Sequence, residues 1–287
     1  MSVDSLPHLA ALEQRADRLE TPCGDGVMVW RAWGAPQAGA ADPPLVLLHG
    51  GSGSWTHWAR NIDALVDAGR RVWVPDLPGF GDSARPPSGG DADAIAPVVE
   101  DGLERLFGAT ACELVGFSLG ALVTSLVVAA NPARACRIVL VGAPALGIAR
   151  PTGLLLRSWA HLAPGPAQDA VVRANLAALM FARPAAIDDF VIAVQRHNVE
   201  RDRMRRRRLA RTDAILRRLP AIQVPLHGIW GELDALYVGG LHRLEPTLRE
   251  APGFASLQVI EGAGHWVQFE AAERFDAALA LALASPG

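Results

Sequence analysis

No lysine occurs in these 287 residues: all 27 basic side chains are arginine. That bias fits a GC-rich, bacterial coding genome. It also means that the glycine-rich stretch LHGGSGSW (48–55) lacks the Lys of a phosphate-binding P-loop. Cysteine is scarce, with three residues, Cys23, Cys112 and Cys136, and no CxxC spacing. An odd number without metal-ligand spacing suggests neither a disulfide framework nor a zinc site, and reduced cytoplasmic thiols are expected. A long uninterrupted apolar run is missing too. The longest, LVGFSLGALVTSLVVAA, is broken by two glycines and three hydroxyl residues, which suits a buried strand and helix rather than a membrane span. The N-terminal stretch MSVDSLPHLAALEQRADRLE carries charge throughout and lacks a secretory apolar segment, so export is not expected. Net charge is only −3, which gives no global reason to expect a nucleic acid or a membrane as partner.

What is present is a large potential core. Half the residues are hydrophobic and 20% are charged, the balance of a globular protein. The length admits two ordinary domains or one large α/β domain with an insertion. After a charged first helix, RLETPCGDGVMVWRAW reads as two strands around CGDG, and GAPQAGAADPP as a surface linker. Then strands and helices alternate. LVLLHG, RVWVPD, CELVGF and RIVLVGAP are short strands apolar on both faces, and HWARNIDALVDAG and DADAIAPVVEDGLERLFG are helices. Such alternation predicts a mostly parallel sheet covered on both sides. From 146 to 219 the strand signal disappears and the chain becomes Arg-rich with helical period, until LHGIWGELD and SLQVIEGAG restore it. The expected division is therefore a core of 1–145 and 220–287 with a helical cap inserted over 146–219.

One stretch carries chemistry. In CELVGFSLGALVTS, Ser118 stands between an apolar strand and an apolar helix, flanked by Gly116 and Gly120. A strand that turns directly into a helix strains its apex residue, and glycines two before and two after relieve the crowding. The hydroxyl is then held at a helix N-terminus, where negative charge is favoured. A serine needs a base oriented by a carboxylate to act as a nucleophile. Among eight histidines, His265 in EGAGHWVQFE follows the last predicted strand and reaches the rim where the elbow lies. His49 and His57 are second choices; His227 begins a strand, and His8, His161, His197 and His242 lie on helices or helix ends. Asp234 in GIWGELDAL follows the penultimate strand and is preferred to Glu232, because the chain must first clear Gly231. Gly51 and Leu119 are the expected oxyanion-hole donors through their backbone N–H groups. No cofactor and no metal is needed for this chemistry.

These motifs together resemble the α/β-hydrolase fold family, over about 45–145 and 222–283. PDLPGFGDS is similar to that family's turn after its fourth strand, GFSLG to its elbow, GELD to its acid loop and GAGHW to its histidine loop. The resemblance implies a sheet of about eight strands flanked by helices, with Ser118 as nucleophile, Asp234 as acid and His265 as base. A closer resemblance is to hydrolases that cleave carbon–carbon bonds in ring-fission products of aromatic degradation, through LHGGSGSWTHWARNIDALVDAG and GHWVQFE. It implies that a cap arginine, matched to Arg196 in VQRHN, holds a substrate carboxylate. That branch usually has Asn and Met around the nucleophile, where this chain has Phe117 and Leu119, and Gly-Pro where it has GSGS.

Those departures put ester cleavage ahead. The expected activity is a serine hydrolase acting through an acyl-enzyme on a small apolar carbonyl substrate, in the cytoplasm. Carbon–carbon cleavage is the first alternative and a non-catalytic small-molecule receptor the second. Ser52, Trp55, Phe117, Arg196 and Trp266 are the expected substrate-binding residues. The cluster RDRMRRRRLAR (201–211) is read as a solvated helix face rather than a nucleic-acid patch, with Leu209, Leu216 and Leu219 turned inward. The expected partner is a small-molecule substrate, and composition leaves a homo-oligomer open.

Overall fold

The computed structural model describes residues 6–35, 42–149, 154–204 and 207–284. Most of the expected linker, 36–41, lies outside the described residues. Eight strands form one sheet in the order β1-β2-β4-β3-β5-β6-β7-β8. They are β1 (Asp17–Cys23), β2 (Gly26–Trp33), β3 (Leu45–Leu48), β4 (Val72–Pro75), β5 (Cys112–Phe117), β6 (Ala135–Val141), β7 (Leu226–Gly231) and β8 (Phe254–Ile260). β1 and β2 pair antiparallel around the CGDG turn, and β2 pairs antiparallel with β4. Every other pairing is parallel.

The central strands are apolar on both faces because each face is covered. Val46, Leu48, Leu114, Ile138 and Leu140 project into one buried cluster. Leu45, Leu47, Val115, Val139 and Val141 project into the other. The nine α-helices among the described residues are α1 (Pro7–Gln14), α2 (Ile62–Asp67), α3 (Ala92–Phe107), α4 (Leu119–Ala130), α5 (Pro166–Leu179), α6 (Asp189–Glu200), α7 (Leu244–Leu248), α8 (Val267–Glu270) and α9 (Ala272–Ala284). Leucines and valines of α3, α4 and α7 fill the first cluster, and those of α1, α2, α6 and α9 the second.

Two expected elements take a different form. The single helix expected over HWARNIDALVDAG is divided into a 3-10 turn, Trp55–Trp58, and the short α2. The 3-10 turn is buried on every side, and the Asn61 amide that follows is drawn to Gln268 O and Asp276, so the chain bends there.

The Arg cluster is not a helix face. After α6 the described part of 201–208 contains no helix, and only 3-10 turns follow at Leu209–Arg211 and Leu216–Ala221. Arg201 pairs with Asp82, Arg203 donates to Gly81 O at 3.1 Å and to Ser83 O, and Arg207 pairs with Asp202 at 2.8 Å. Like charges four apart weaken a helix, whereas carboxylates and carbonyl oxygens give the guanidinium groups of Arg201, Arg203 and Arg207 partners. Leu209, Leu216 and Leu219 do turn inward, packing against or within the first cluster.

Among the described residues no helix is long and apolar enough to cross a membrane.

Candidate active site

A strained backbone position lies where β5 passes into α4. Ser118 is the residue between them, with φ of 50° and ψ of −110°, outside the region a serine prefers. The flanking glycines are required by contact. A Cβ on Gly116 would lie 2.5 Å from Gly120 O, and one on Gly120 would lie 2.2 Å from Leu48 O, so the turn is pressed against both its own helix and β3. Leu119 opens α4, and its N–H has no partner within the helix.

The loops after β7 and β8, on the same edge, are in backbone contact. β7 ends at Gly231, where a Cβ would lie 2.2 Å from Gly264 O, and Leu233 N–H donates to Ala263 O at 2.9 Å. This contact sets Asp234 beside His265. The fully buried Asp234 carboxylate accepts from Leu236 N–H through Oδ1 at 2.9 Å and faces His265 Nδ1 through Oδ2 at 2.8 Å. Glu232 points elsewhere and accepts from Gly262 N–H at 2.9 Å. An ionised carboxylate can only accept, so His265 carries its proton on Nδ1 and leaves Nε2 free to accept. Nε2 stands 3.1 Å from Ser118 Oγ.

A hydroxyl, an imidazole and a carboxylate thus stand in line, the carboxylate and imidazole buried and the hydroxyl at the partly exposed end. Such a line can draw a proton off the hydroxyl and hold the imidazolium that results.

The other expected residues divide into those near this line and those away from it. The Phe117 ring lies 5.0 Å from the His265 ring and against Gly50. Gly51 lies on the loop after β3, and Ser52 beside it is bonded to Asp202 and Arg207. Trp55 is a core residue, packed on Trp33 at 5.5 Å and on Arg31. Trp266 is buried against His57 and Phe269, and its Nε1–H donates to His57 O. Arg196 is held by Asp169 at 2.8 Å, between α6 and α5.

His57 packs edge-on against Phe117, and His49 packs against His57. Burial lowers both imidazoles from their ordinary value, His57 strongly. His49 is fixed as a neutral ring, donating from Nδ1 to Gly50 O and accepting Leu77 N–H at Nε2. Competing sulfur nucleophiles are disfavoured, since burial pushes the Cys23 thiol up to about 11 and Cys112 up to about 12.

Two contributors were not anticipated from the sequence. Glu270 is buried and accepts N–H groups of Ala182, Arg183 and Gly264, which ties the chain after α5 to the residue preceding His265. Trp266 N–H adds a bond to Met180 O at 2.8 Å. Arg207 is the arginine that reaches the Gly51–Ser52 loop. Only the acidic residue four beyond Trp266 could have hinted at the first, and one arginine in a run of them hints at nothing.

A cavity of about 730 Å³ opens next to the acid loop, with Ala145, Leu146, Ile148, Leu236 and Tyr237 among its walls. Among the described residues no group of three or more His, Cys, Asp or Glu is placed to hold a metal ion.

Residues 45–278 match the family described as "Alpha/beta hydrolase family". The chain belongs to the α/β-hydrolase family. It is 34% identical over 252 residues to the dihydrolipoyllysine-residue acetyltransferase component of the acetoin cleaving system of Pseudomonas putida, covering 82% of this chain but only 62% of that relative. It is 27% identical over 259 residues to a 2-hydroxy-6-oxononadienedioate/2-hydroxy-6-oxononatrienedioate hydrolase of a Pseudomonas species, covering 83% and 87% of the two chains. Its fold is also that of a serine hydrolase from the polyaromatic hydrocarbon-degrading bacterium Cycloclasticus zankles, with a TM-score of 0.71 at 19% identity over 93% and 97%. This α/β hydrolase therefore has the eight-stranded, mostly parallel sheet that its elbow, acid and histidine motifs imply.

Proposed function

We propose that this α/β hydrolase is a serine esterase that cleaves a small apolar carboxylic ester through an acyl-enzyme. The observation that carries the reading is the line from Ser118 Oγ through His265 to Asp234, built on a backbone turn with positive φ at Ser118. Strain of that kind persists where the surroundings hold it and clusters at reacting centres.

In the proposed sequence Ser118 Oγ attacks the ester carbonyl carbon and its proton passes to His265 Nε2. The carbonyl oxygen becomes an oxyanion and takes hydrogen bonds from the N–H groups of Gly51 and Leu119. When the tetrahedral adduct collapses, His265 returns the proton to the departing alkoxide, and an alcohol leaves. The acyl group remains on Ser118. Water gives a proton to His265, attacks the acyl carbon and releases the carboxylic acid, restoring the hydroxyl. Asp234 keeps the imidazole in the Nδ1–H tautomer throughout. Helices α5 and α6 act as the cap over the substrate, supported by the bonds that Glu270 and Trp266 make between the chain after α5 and the histidine loop. A cytoplasmic setting belongs to the same proposal; it is supported by Cys23, Cys112 and Cys136 all being free thiols.

A second reading keeps Ser118, His265 and Asp234 and cleaves a carbon–carbon bond next to a ketone. It is favoured by the relative named for 2-hydroxy-6-oxononadienedioate hydrolysis. Against it, Arg196 already has Asp169 as its partner. The ratio of kcat/KM for a short-chain aryl ester to that for a ring-fission dienone acid separates the two. Esterase function gives a ratio well above one, and a ratio far below one transfers the assignment to carbon–carbon cleavage.

A further inference from the structure

The loop after β3 carries a second strained residue. Ser52, directly after Gly51, has φ of 50°. A non-glycine residue held there is strained and stays only if its surroundings impose it. Three contacts do so. Ser52 Oγ donates to Asp202 Oδ2 at 2.6 Å, Arg207 Nη2 donates to Ser52 Oγ at 3.0 Å, and Arg207 Nη1 donates to the same Asp202 oxygen at 2.8 Å. The Asp202 side chain is 4% exposed, and its other oxygen is fixed by Met204 N–H at 2.8 Å. A hydroxyl, a carboxylate and a guanidinium therefore close a triangle around position 52.

The residues on either side are pinned independently. A Cβ on Gly50 would lie 2.8 Å from the Phe117 ring, and one on Gly53 would lie 2.2 Å from the His57 ring. Between these two fixed points Gly51 and Ser52 are the joint whose torsion angles decide where the Gly51 N–H points. The Arg207 guanidinium bounds that joint from outside, 3.1 Å from where a Gly51 Cβ would be. Asp202 and Arg207 lie between α6 and β7, about 150 residues further along the chain, so the hydrogen bonds on the Ser52 side chain come from a distant segment.

We infer that Asp202, clasping Ser52 together with Arg207, is a positioning residue that aims the Gly51 N–H at the oxygen of the substrate carbonyl. The inference rests on the esterase reading in which Gly51 is an oxyanion donor. It implies that the donor pair is complete only when the segment after α6 is docked on the core.

The test is rescue by glycine, which adopts positive φ without strain. Asp202→Ala is made in the wild-type chain and again on top of Ser52→Gly, and kcat and KM for p-nitrophenyl butyrate are measured for each of the four proteins. Removing an oxyanion donor outright costs roughly 100- to 1000-fold in kcat, so misaiming it is expected to cost roughly 10- to 100-fold, with KM little changed. On top of Ser52→Gly the same substitution is expected to cost less than about 3-fold. An equal loss in both backgrounds, or no loss in the wild-type chain, overturns the inference: the first outcome makes Asp202 structural or electrostatic, the second makes it idle. Where Asp202→Ala does not fold, Asp202→Asn, which keeps an acceptor for Met204 N–H, is compared in the same two backgrounds with the same expected contrast. Ser118→Ala measured alongside keeps the two claims apart. If it retains turnover, the esterase reading fails; if it is inactive while the Asp202 losses are equal, only the positioning role fails.

Discussion

Gly142, the residue after β6, lies against the bond between His265 and Asp234. A Cβ built on it would come 3.1 Å from His265 Nδ1 and 3.3 Å from Asp234 Oδ2, and its φ of 51° is one that side chains resist. Gly142→Ala should therefore push the imidazole off its line to Ser118. The expected result is a kcat lower by roughly 10- to 100-fold with KM little changed, as small displacements of a reacting group produce, and a stability loss of about 1–2 kcal/mol from the left-handed backbone. Steady-state kinetics and urea unfolding check both; an unchanged kcat would mean that the His265–Asp234 contact does not govern turnover.

Glu270 holds three backbone donors from two loops, at Ala182, Arg183 and Gly264. Glu270→Ala leaves them without an acceptor, and buried donors stripped of a charged partner are costly. A loss of about 2–4 kcal/mol is expected, together with a lower kcat because Gly264 precedes His265. Denaturant unfolding would show the first effect. A midpoint equal to that of the wild type would remove Glu270 from the account.

The buried imidazole of His57 has its affinity for protons depressed by desolvation first, then by His49 and His265. The unfolded chain, with an ordinary histidine near pH 6.5, binds the proton more readily than the folded one. Stability contributed by the neutral ring is therefore present above about pH 6.5 and falls as pH drops below it. His49 acts in the same direction. His57→Phe should lower Tm at pH 7.5, since Gly50 N–H loses its acceptor. It should also flatten the fall in Tm between pH 7 and pH 5. A slope identical to the wild type would show that His57 is not a source of the acid sensitivity.

Much of the fold was legible because it depends on local pattern. Strands such as LVLL and CELVGF are continuous apolar runs, and a run buried on both faces belongs to a parallel sheet. The spacing of Gly116 and Gly120 around Ser118 signals a tight turn from residue types alone, and loop order along a parallel sheet places Asp234 and His265 on the same edge. What escaped was determined by distant partners. The arginines after α6 read as a helix face because their helical period is visible, whereas Asp82 and Ser52, which draw them out, lie about 120 to 155 residues earlier. Trp55 reads as a pocket residue from its place near the glycine loop, but its ring turns to Trp33 and Arg31 on β2. Arg196 had a motif match and no visible partner; Asp169 one helix away supplies one. A sequence shows periodicity and neighbours, and it does not show which of several equivalent charges meets a carboxylate.

The most direct test of the account is the fate of Ser118 under a fluorophosphonate, which reacts with a serine only when its hydroxyl is activated by a neighbouring base. Intact mass and peptide mapping after brief exposure should show one phosphonyl group, on Ser118, with ester hydrolysis abolished in step. Ser118→Ala should take no label and lose turnover by on the order of 1000-fold or more while keeping the wild-type unfolding midpoint. Label on another residue, or Ser118→Ala hydrolysing esters at the wild-type rate, would contradict the assignment of Ser118 as the nucleophile.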